Sequence, residues 1–290
     1  MSSDELHKLE DAIKNNVIKG ASGVTRAALT ALKIKAHSLR MENVENFVMN
    51  IEEYGDYLCK LRPSMACVRN AVMIAIGNLK RYVKADTSLE DAVKFLSQEC
   101  DRLIDASKKA LESIANNLYK LVNEGDKILT HSYSTTVINA LAKIHERKRF
   151  SVVSTESRPS FEGLETARLL ADKGIPVTVI IDAAIGTFMK DIDKVVIGAD
   201  AILADYSIVN KVGSFPIALT AREYDIPVIV VAESLKKHEG TEIELEEREP
   251  SELLPKDLAN KGVNARNPFF EVVPSKYLSY IVTEGGIIKL

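Results

Sequence analysis

Near Lys127 the hydrophobic period of this chain changes, and that change constrains the fold more than any other feature. Before it, apolar residues recur at helical spacing in segments near 4–16, 23–39, 43–60 and 64–83. Thr87-Ser88-Leu89-Glu90 reads as a capping box, with Thr87 at the cap and Glu90 three residues on. It opens a long amphipathic run from residue 89 to residue 123, which Gly125 stops. After residue 127, short β-rich runs are predicted near 127–130, 150–154, 177–181, 194–197, 226–231 and 280–283. Helical patterns, such as 162–173 closed by Gly174 and 216–224, lie between most of them. Such alternation predicts right-handed crossovers and a parallel sheet. The β-runs are nearly continuous in apolar residues, as strands covered on both faces must be. The fold class is α/β, an all-helical N-terminal domain over 1–124 ending in a long connector helix, then a parallel-sheet domain over 125–290.

Composition narrows the function. Thirty-eight basic residues against 41 acidic ones give a net charge of -3, so no basic excess draws the whole chain to nucleic acid or an anionic membrane. Three cysteines (Cys59, Cys67, Cys100) follow no metal-ligand spacing, and free thiols in odd number fit a reducing cytoplasm. The five histidines are scattered, which argues against zinc. No run of about 18 apolar residues predicts a membrane span, and the N-terminus has no apolar segment of signal-peptide type. No Gly-x-Gly-x-x-Gly follows a strand and no Gly-Lys-Ser/Thr loop occurs, so neither a dinucleotide nor a P-loop nucleotide is expected. No cofactor or metal is implied.

Chemistry concentrates where strands end. After the first come Thr130-His131-Ser132-Tyr133-Ser134-Thr135-Thr136, and after the second Ser154-Thr155-Glu156-Ser157-Arg158-Pro159. Asp182-Ala183-Ala184, Gly198-Ala199-Asp200 and Ala232-Glu233-Ser234-Leu235-Lys236 follow later strands. The carboxyl ends of parallel strands share one edge, which is where ligands bind. Ser134 or Thr135 fits equally well as the cap of the following helix. Capping does not account for acids, an arginine and a lysine gathered on one edge. Hydroxyls and amides at a helix start suit a phosphate; Arg158, Lys211 and Lys236 add positive charge, and Asp182, Asp200 and Asn210 suit sugar hydroxyls. In the helical half, Gly20-Ala21-Ser22-Gly23 and Arg26 read either as a backbone nest for an anion or as a plain inter-helix turn. Arg62-Pro63-Ser64 reads as a helix start. The acidic stretch 242–249 alternates for five residues and predicts a solvent-facing edge strand.

Together these strings resemble the family of initiation factor 2B α, β and δ subunits, which includes methylthioribose-1-phosphate isomerase and ribose-1,5-bisphosphate isomerase. The matching strings include Lys19-Gly-Ala-Ser-Gly, Arg62-Pro-Ser, Thr130-His-Ser-Tyr-Ser, Thr155-Glu-Ser-Arg-Pro, Asp182-Ala-Ala, Gly198-Ala-Asp, Asn210-Lys-Val-Gly and Ala232-Glu-Ser-Leu-Lys. They run in order along nearly the whole chain. The resemblance implies a Rossmann-like second domain that dimerises, with higher assembly open, and ligand contacts at Gly20–Gly23, Arg26, Arg62, Ser134, Thr135, Thr136, Glu156, Arg158, Asp182, Asn210, Lys211 and Lys236. In the isomerases it resembles, a cysteine and an aspartate carry the chemistry. Asp200 stands at the acid position here, and Ser132 occupies the cysteine position. A serine hydroxyl is a far weaker acid than a thiol and needs an adjacent base to react. His131 is next in sequence, but neighbours on an extended segment point to opposite faces. Two readings follow. In the preferred one the protein is a non-catalytic sensor of a phosphorylated sugar or a nucleotide such as AMP, acting with the initiation factor 2 α subunit. In the alternative it is a ribose-1,5-bisphosphate isomerase that works with Ser132.

Overall fold

The computed structural model describes residues 3–15 and 17–290. Met1, Ser2 and Asn16, the last at the end of the first predicted helix, lie outside the described residues. Two compact units emerge, the first ending at Lys109 and the second running Ala110–Leu290.

The first unit is helical: α1 (Ser3–Lys14), α2 (Ala21–Ser38), α3 (Val44–Leu61), α4 (Ala66–Tyr82) and most of α5 (Leu89–Tyr119). Side-chain oxygens set two of the starts. Asn43 accepts from Asn46 N–H at 2.8 Å ahead of α3, and Ser88 accepts from Asp91 N–H at 3.1 Å ahead of α5. The cap therefore sits one residue later than the sequence predicts, at Ser88, whose hydroxyl also donates to the Asp91 carboxylate at 2.6 Å. Thr87 Oγ1 is taken instead by Lys84 N–H (2.8 Å) in the preceding turn, leaving Ser88 to cap. Alanines on α2 and α4 (Ala28, Ala31, Ala71 and Ala75, all fully buried) let these helices pack closely. The thiols of Cys59 and Cys100 are buried here, and burial pushes them up to about 11 and 12. No disulfide joins the three cysteines.

The second unit contains β1 (Lys127–Thr130), α6 (Thr135–His145), β2 (Ser151–Thr155), α7 (Glu162–Ala171), β3 (Val177–Ile180), α8 (Ile185–Phe188), β4 (Lys194–Ile197), β5 (Ala201–Ile202), β6 (Ile208–Lys211), α9 (Ser214–Glu223), β7 (Val228–Val231), α10 (Lys256–Ala259), β8 (Phe270–Val273), β9 (Tyr280–Thr283) and β10 (Gly286–Lys289). Seven strands form the main sheet in the order β10-β9-β7-β4-β1-β2-β3. All its pairings are parallel except β9 with β10. Strand neighbours point to opposite faces, and both faces are covered. Ile128, Val152, Val196, Ile229 and Val282 meet Leu118, Leu141 and Ile144 on one side. Leu129, Val153, Val195, Val230 and Ile281 meet Ile185, Met189 and Ile217 on the other. Each such buried side chain contributes roughly 1.5–3 kcal/mol, which is why the strands read as unbroken apolar runs. Ala110, Ile114, Ala115 and Leu118 bring the last turns of α5 into this core.

Two parts of the sheet region depart from expectation. A second, antiparallel sheet, β5-β6-β8, is absent from the sequence prediction and carries Asn210 and Lys211. The acidic stretch 242–249 is not an edge strand; a single bridge, Glu247 to Pro268, is its only ladder contact among the described residues. Crowded carboxylates are held apart in irregular backbone, with Glu247 bonded to Arg266 and Arg248 to Glu252.

Candidate functional site

From β1 the chain goes on to β2 and β3 on one side of the sheet, while β4 and β7 fill the other. The order therefore reverses between β1 and β4, and ligands of open α/β sheets bind outside such a point. The loop with Ser132 leaves β1 there, and the segment with Asp200 leaves β4. The two approach closely: a Cβ on Gly198 would lie 2.7 Å from Ser134 Oγ. Glycine is thus required for the two strand ends to sit together.

The β1 loop is fixed by a chain of hydroxyls. Ser132 N–H donates to Ser157 Oγ at 2.8 Å, Ser157 Oγ lies 3.0 Å from Thr155 Oγ1, and Thr155 Oγ1 lies 2.6 Å from His131 Nδ1. His131 Nε2 faces the Val212 carbonyl at 2.8 Å. A carbonyl only accepts, so Nε2 carries the proton, Nδ1 accepts from Thr155, and Thr155 accepts from Ser157. Each hydroxyl gives one hydrogen bond and receives one. His131 is 2% exposed, and burial pushes its imidazole down to about 4, against the opposing pull of the Val212 carbonyl and Asp182. The ring is a neutral strut with both nitrogens in use. A proton bound in the unfolded chain below pH 6.5 is refused by the folded one until about pH 4, so stability falls through that window as pH drops. NMR titration of the His131 ring is expected to show it neutral down to about pH 4; a midpoint near 6.5 would contradict the hydrogen-bond assignment.

Ser132 itself has left-handed backbone, φ 63°, which is uncommon for a residue with a side chain. Its Oγ donates to Glu162 Oε2 at 2.8 Å, and its carbonyl accepts from Thr166 Oγ1 at 2.7 Å. Both partners are on α7 and both are buried. Glu162 is absent from the sequence prediction. An acid in the first turn of a helix is ordinary, and only the tertiary contact distinguishes this one. The one available signal is the adjoining Gly163, where a Cβ would stand 1.7 Å from the Thr155 carbonyl oxygen. α7 thus starts in contact with the end of β2.

The charged residues are placed as follows. Asp182 accepts from Ser157 N–H and Arg158 N–H, each at 2.8 Å. Both its oxygens thus hold the β2 loop, and each keeps a further lone pair for a ligand hydroxyl. Lys211 is 2% exposed; its ammonium donates to the Arg158 carbonyl at 3.0 Å and lies 4.2 Å from the centre of the Phe269 ring. Burial lowers its pKa, against the attraction of Glu162 and Asp182. Lys236 is buried and donates to the Ala199 carbonyl at 2.6 Å, next to Asp200. Each ammonium has three N–H bonds and is assigned one protein acceptor here. The Asn210 amide donates to Ser214 Oγ at 2.8 Å. Ser134 caps α6 by accepting from Val137 N–H at 3.3 Å, which decides between the two expected caps. Thr136 Oγ1 is buried with no partner among the described residues. Glu156 is half-buried and extends the β2–β3 pairing through its N–H. The Arg158 side chain is exposed, 4.7 Å from the Phe161 ring centre.

Within the first unit, Gly20 (φ 76°) precedes α2. The Cys67 thiol, at the start of α4, reaches the Ala21 carbonyl at 3.7 Å, so the starts of α2 and α4 adjoin. Ser22, Arg62 and Ser64 are buried, and Arg26 Nη1 is buried with no acceptor among the described residues. No cluster of His, Cys, Asp or Glu suited to a metal occurs among the described residues, and no described helix is long and apolar enough to cross a membrane.

These features define a Rossmann-like α/β protein with a polar strand-end site at a topological switch point. The chain belongs to the initiation factor 2 subunit family, whose profile matches residues 17–290. It is 38% identical to a protein of Methanocaldococcus jannaschii named ribose 1,5-bisphosphate isomerase, over 98% of this chain and 92% of that protein. It is 32% identical to a Pyrococcus furiosus protein named putative translation initiation factor eIF-2B subunit 2-like, over 99% and 98%. A crystal structure titled translation initiation factor eIF-2B, from Pyrococcus horikoshii OT3, superposes with a TM-score of 0.84 at 31% identity, covering 100% of this chain and 98% of that one. Relatives named ribose 1,5-bisphosphate isomerase recur between 31% and 38% identity over nearly the full chain. That finding overturns the preferred sequence reading of a non-catalytic sensor acting with initiation factor 2.

Proposed function

We propose that the protein is an aldose–ketose isomerase that converts ribose 1,5-bisphosphate into ribulose 1,5-bisphosphate. The observation that carries this reading is the placement of Ser132 and Asp200 on adjoining strand ends at the switch point, beside buried Lys236. The names of its relatives point the same way. The reaction asks for two groups. One removes the proton from C2 as the C1–C2 double bond forms and the ring oxygen leaves C1. The other protonates that ring oxygen, then takes the C2 hydroxyl proton as the ketone forms, while the first returns a proton to C1. The family resemblance divides these two tasks between the Ser132 position and Asp200; in this reading Ser132 handles the carbon proton and Asp200 the ring opening. Lys211, Lys236 and Arg158 supply phosphate contacts, and Asp182, Asn210, Ser134, Thr135, Thr136 and Glu156 are kept as ligand contacts. The Gly20–Gly23 turn with Arg26 and Arg62 is proposed as an anion site of the first unit in its own right, supported by the unpartnered Arg26 Nη1. Dimerisation through the second unit and a cytoplasmic location belong to the same reading.

Incubation with ribose 1,5-bisphosphate is expected to yield ribulose 1,5-bisphosphate. Ser132→Cys is expected to raise kcat by about tenfold, because a thiol ionises more readily than a hydroxyl. No product from either protein, with the fold intact by circular dichroism, would sink the proposal.

A further inference from the structure

We infer that Glu162 is the base partner of Ser132, accepting the hydroxyl proton so that Oγ can take the proton from the sugar carbon. This rests on the isomerase reading and names the group that lets a serine do the work. The geometry is direct. Ser132 Oγ donates to Glu162 Oε2 at 2.8 Å, and both residues are buried, at 8% and 6% exposed. The other candidate, His131, is engaged at both nitrogens by Thr155 and the Val212 carbonyl, and its imidazole is held neutral.

α7 is arranged to keep this contact. Thr166, one turn beyond Glu162, donates to the Ser132 carbonyl at 2.7 Å, and Gly163 N–H donates to the Glu156 carbonyl at 3.2 Å. The helix start is therefore tied to both loops that flank Ser132. The left-handed backbone of Ser132 is disfavoured for a residue with a side chain, and these contacts hold it there.

The protons balance without an outside reagent. As the C2–H bond breaks, its proton joins Ser132 Oγ and the Oγ proton passes to the Glu162 carboxylate. The C2 electron pair forms the C1–C2 double bond and expels the ring oxygen. In the return step Glu162 gives its proton to Oγ, and Oγ gives one to C1. C1 is reduced and C2 oxidised within one molecule. Glu162 never touches the sugar in this scheme; it acts through Ser132.

Glu162→Gln preserves size and a hydrogen bond and removes the base. Its kcat is expected to fall by about 100-fold or more, the scale of a lost general base, with KM changed less than threefold. Placed on Ser132→Cys, the same substitution is expected to cost less than fivefold, because the thiol supplies its own acidity. A Glu162→Gln protein that keeps kcat within threefold overturns the inference. So does a 100-fold loss that is just as large on the Ser132→Cys background, since that is the mark of a structural part alone. A third measurement needs no turnover. Alkylation of the introduced thiol is followed against pH in Ser132→Cys and in Ser132→Cys/Glu162→Gln. An adjacent carboxylate raises a thiol pKa, so the midpoint is expected to drop by about one pH unit when Glu162 is neutralised. Equal midpoints overturn the contact even if the protein proves to be no isomerase. A drop without any turnover retains the contact and sinks the isomerase reading instead.

Discussion

Gly163→Ala is expected to destabilise the second unit by about 4 kcal/mol, among the larger effects of a single substitution. The added methyl carbon would stand 1.7 Å from the Thr155 carbonyl oxygen and 2.8 Å from its carbonyl carbon. Both are backbone atoms of a strand paired on either side, β1 and β3, so the neighbour has no side-chain freedom with which to yield. The helix must move instead. Moving it pulls Glu162 from Ser132 and Thr166 from the Ser132 carbonyl, so activity is expected to fall beyond what the lost stability explains. Urea denaturation and the isomerase assay on the same preparation check this. A midpoint within 0.3 M of the parent would refute it.

Asp182→Ala is expected to cost about 3 kcal/mol and at least 100-fold in kcat. Its two oxygens accept from Ser157 N–H and Arg158 N–H, and hydrogen bonds to charged groups contribute roughly 1.5–3 kcal/mol each. Ser157 N–H is buried, so it would be left without an acceptor. The consequence reaches the chemistry through Ser157 Oγ, which receives the Ser132 N–H, and through the Arg158 carbonyl, which holds Lys211. Asp182→Asn keeps one acceptor and places an amide against a backbone donor, so an intermediate loss is expected. Equal kcat for Asp182→Ala and parent would show that the β2 loop holds itself.

The strand-end site was legible because it needs only two facts that a sequence carries. Apolar runs of four or five residues locate the strands, and parallel pairing sends all their carboxyl ends to one edge. His131, Ser132, Asp182, Asp200 and Lys236 fall in place from those facts, whereas Asn210 and Lys211 stand on β6 of the second sheet. Their roles did not. Asp182 reads as a sugar ligand by its chemistry, and nothing in the sequence shows that its oxygens also accept from backbone N–H groups 24 and 25 residues away. The acidic 242–249 stretch shows the opposite failure, where alternation suggested a strand and the backbone is irregular, with one bridge at Glu247. β5, a strand of two residues, is too short for any period to register.

What the sequence determined by itself is the architecture and the edge where the polar strand ends gather, since hydrophobic period and strand-end polarity are local properties. The tertiary structure alone decided which group stands beside Ser132. That residue is Glu162, thirty positions on. It arrives there because the β1–β2 pairing and the glycine at 163 let α7 begin against the strand ends. A hydrogen bond between residues so far apart leaves no periodic trace in the chain, and the reactivity of a serine is set by that neighbour.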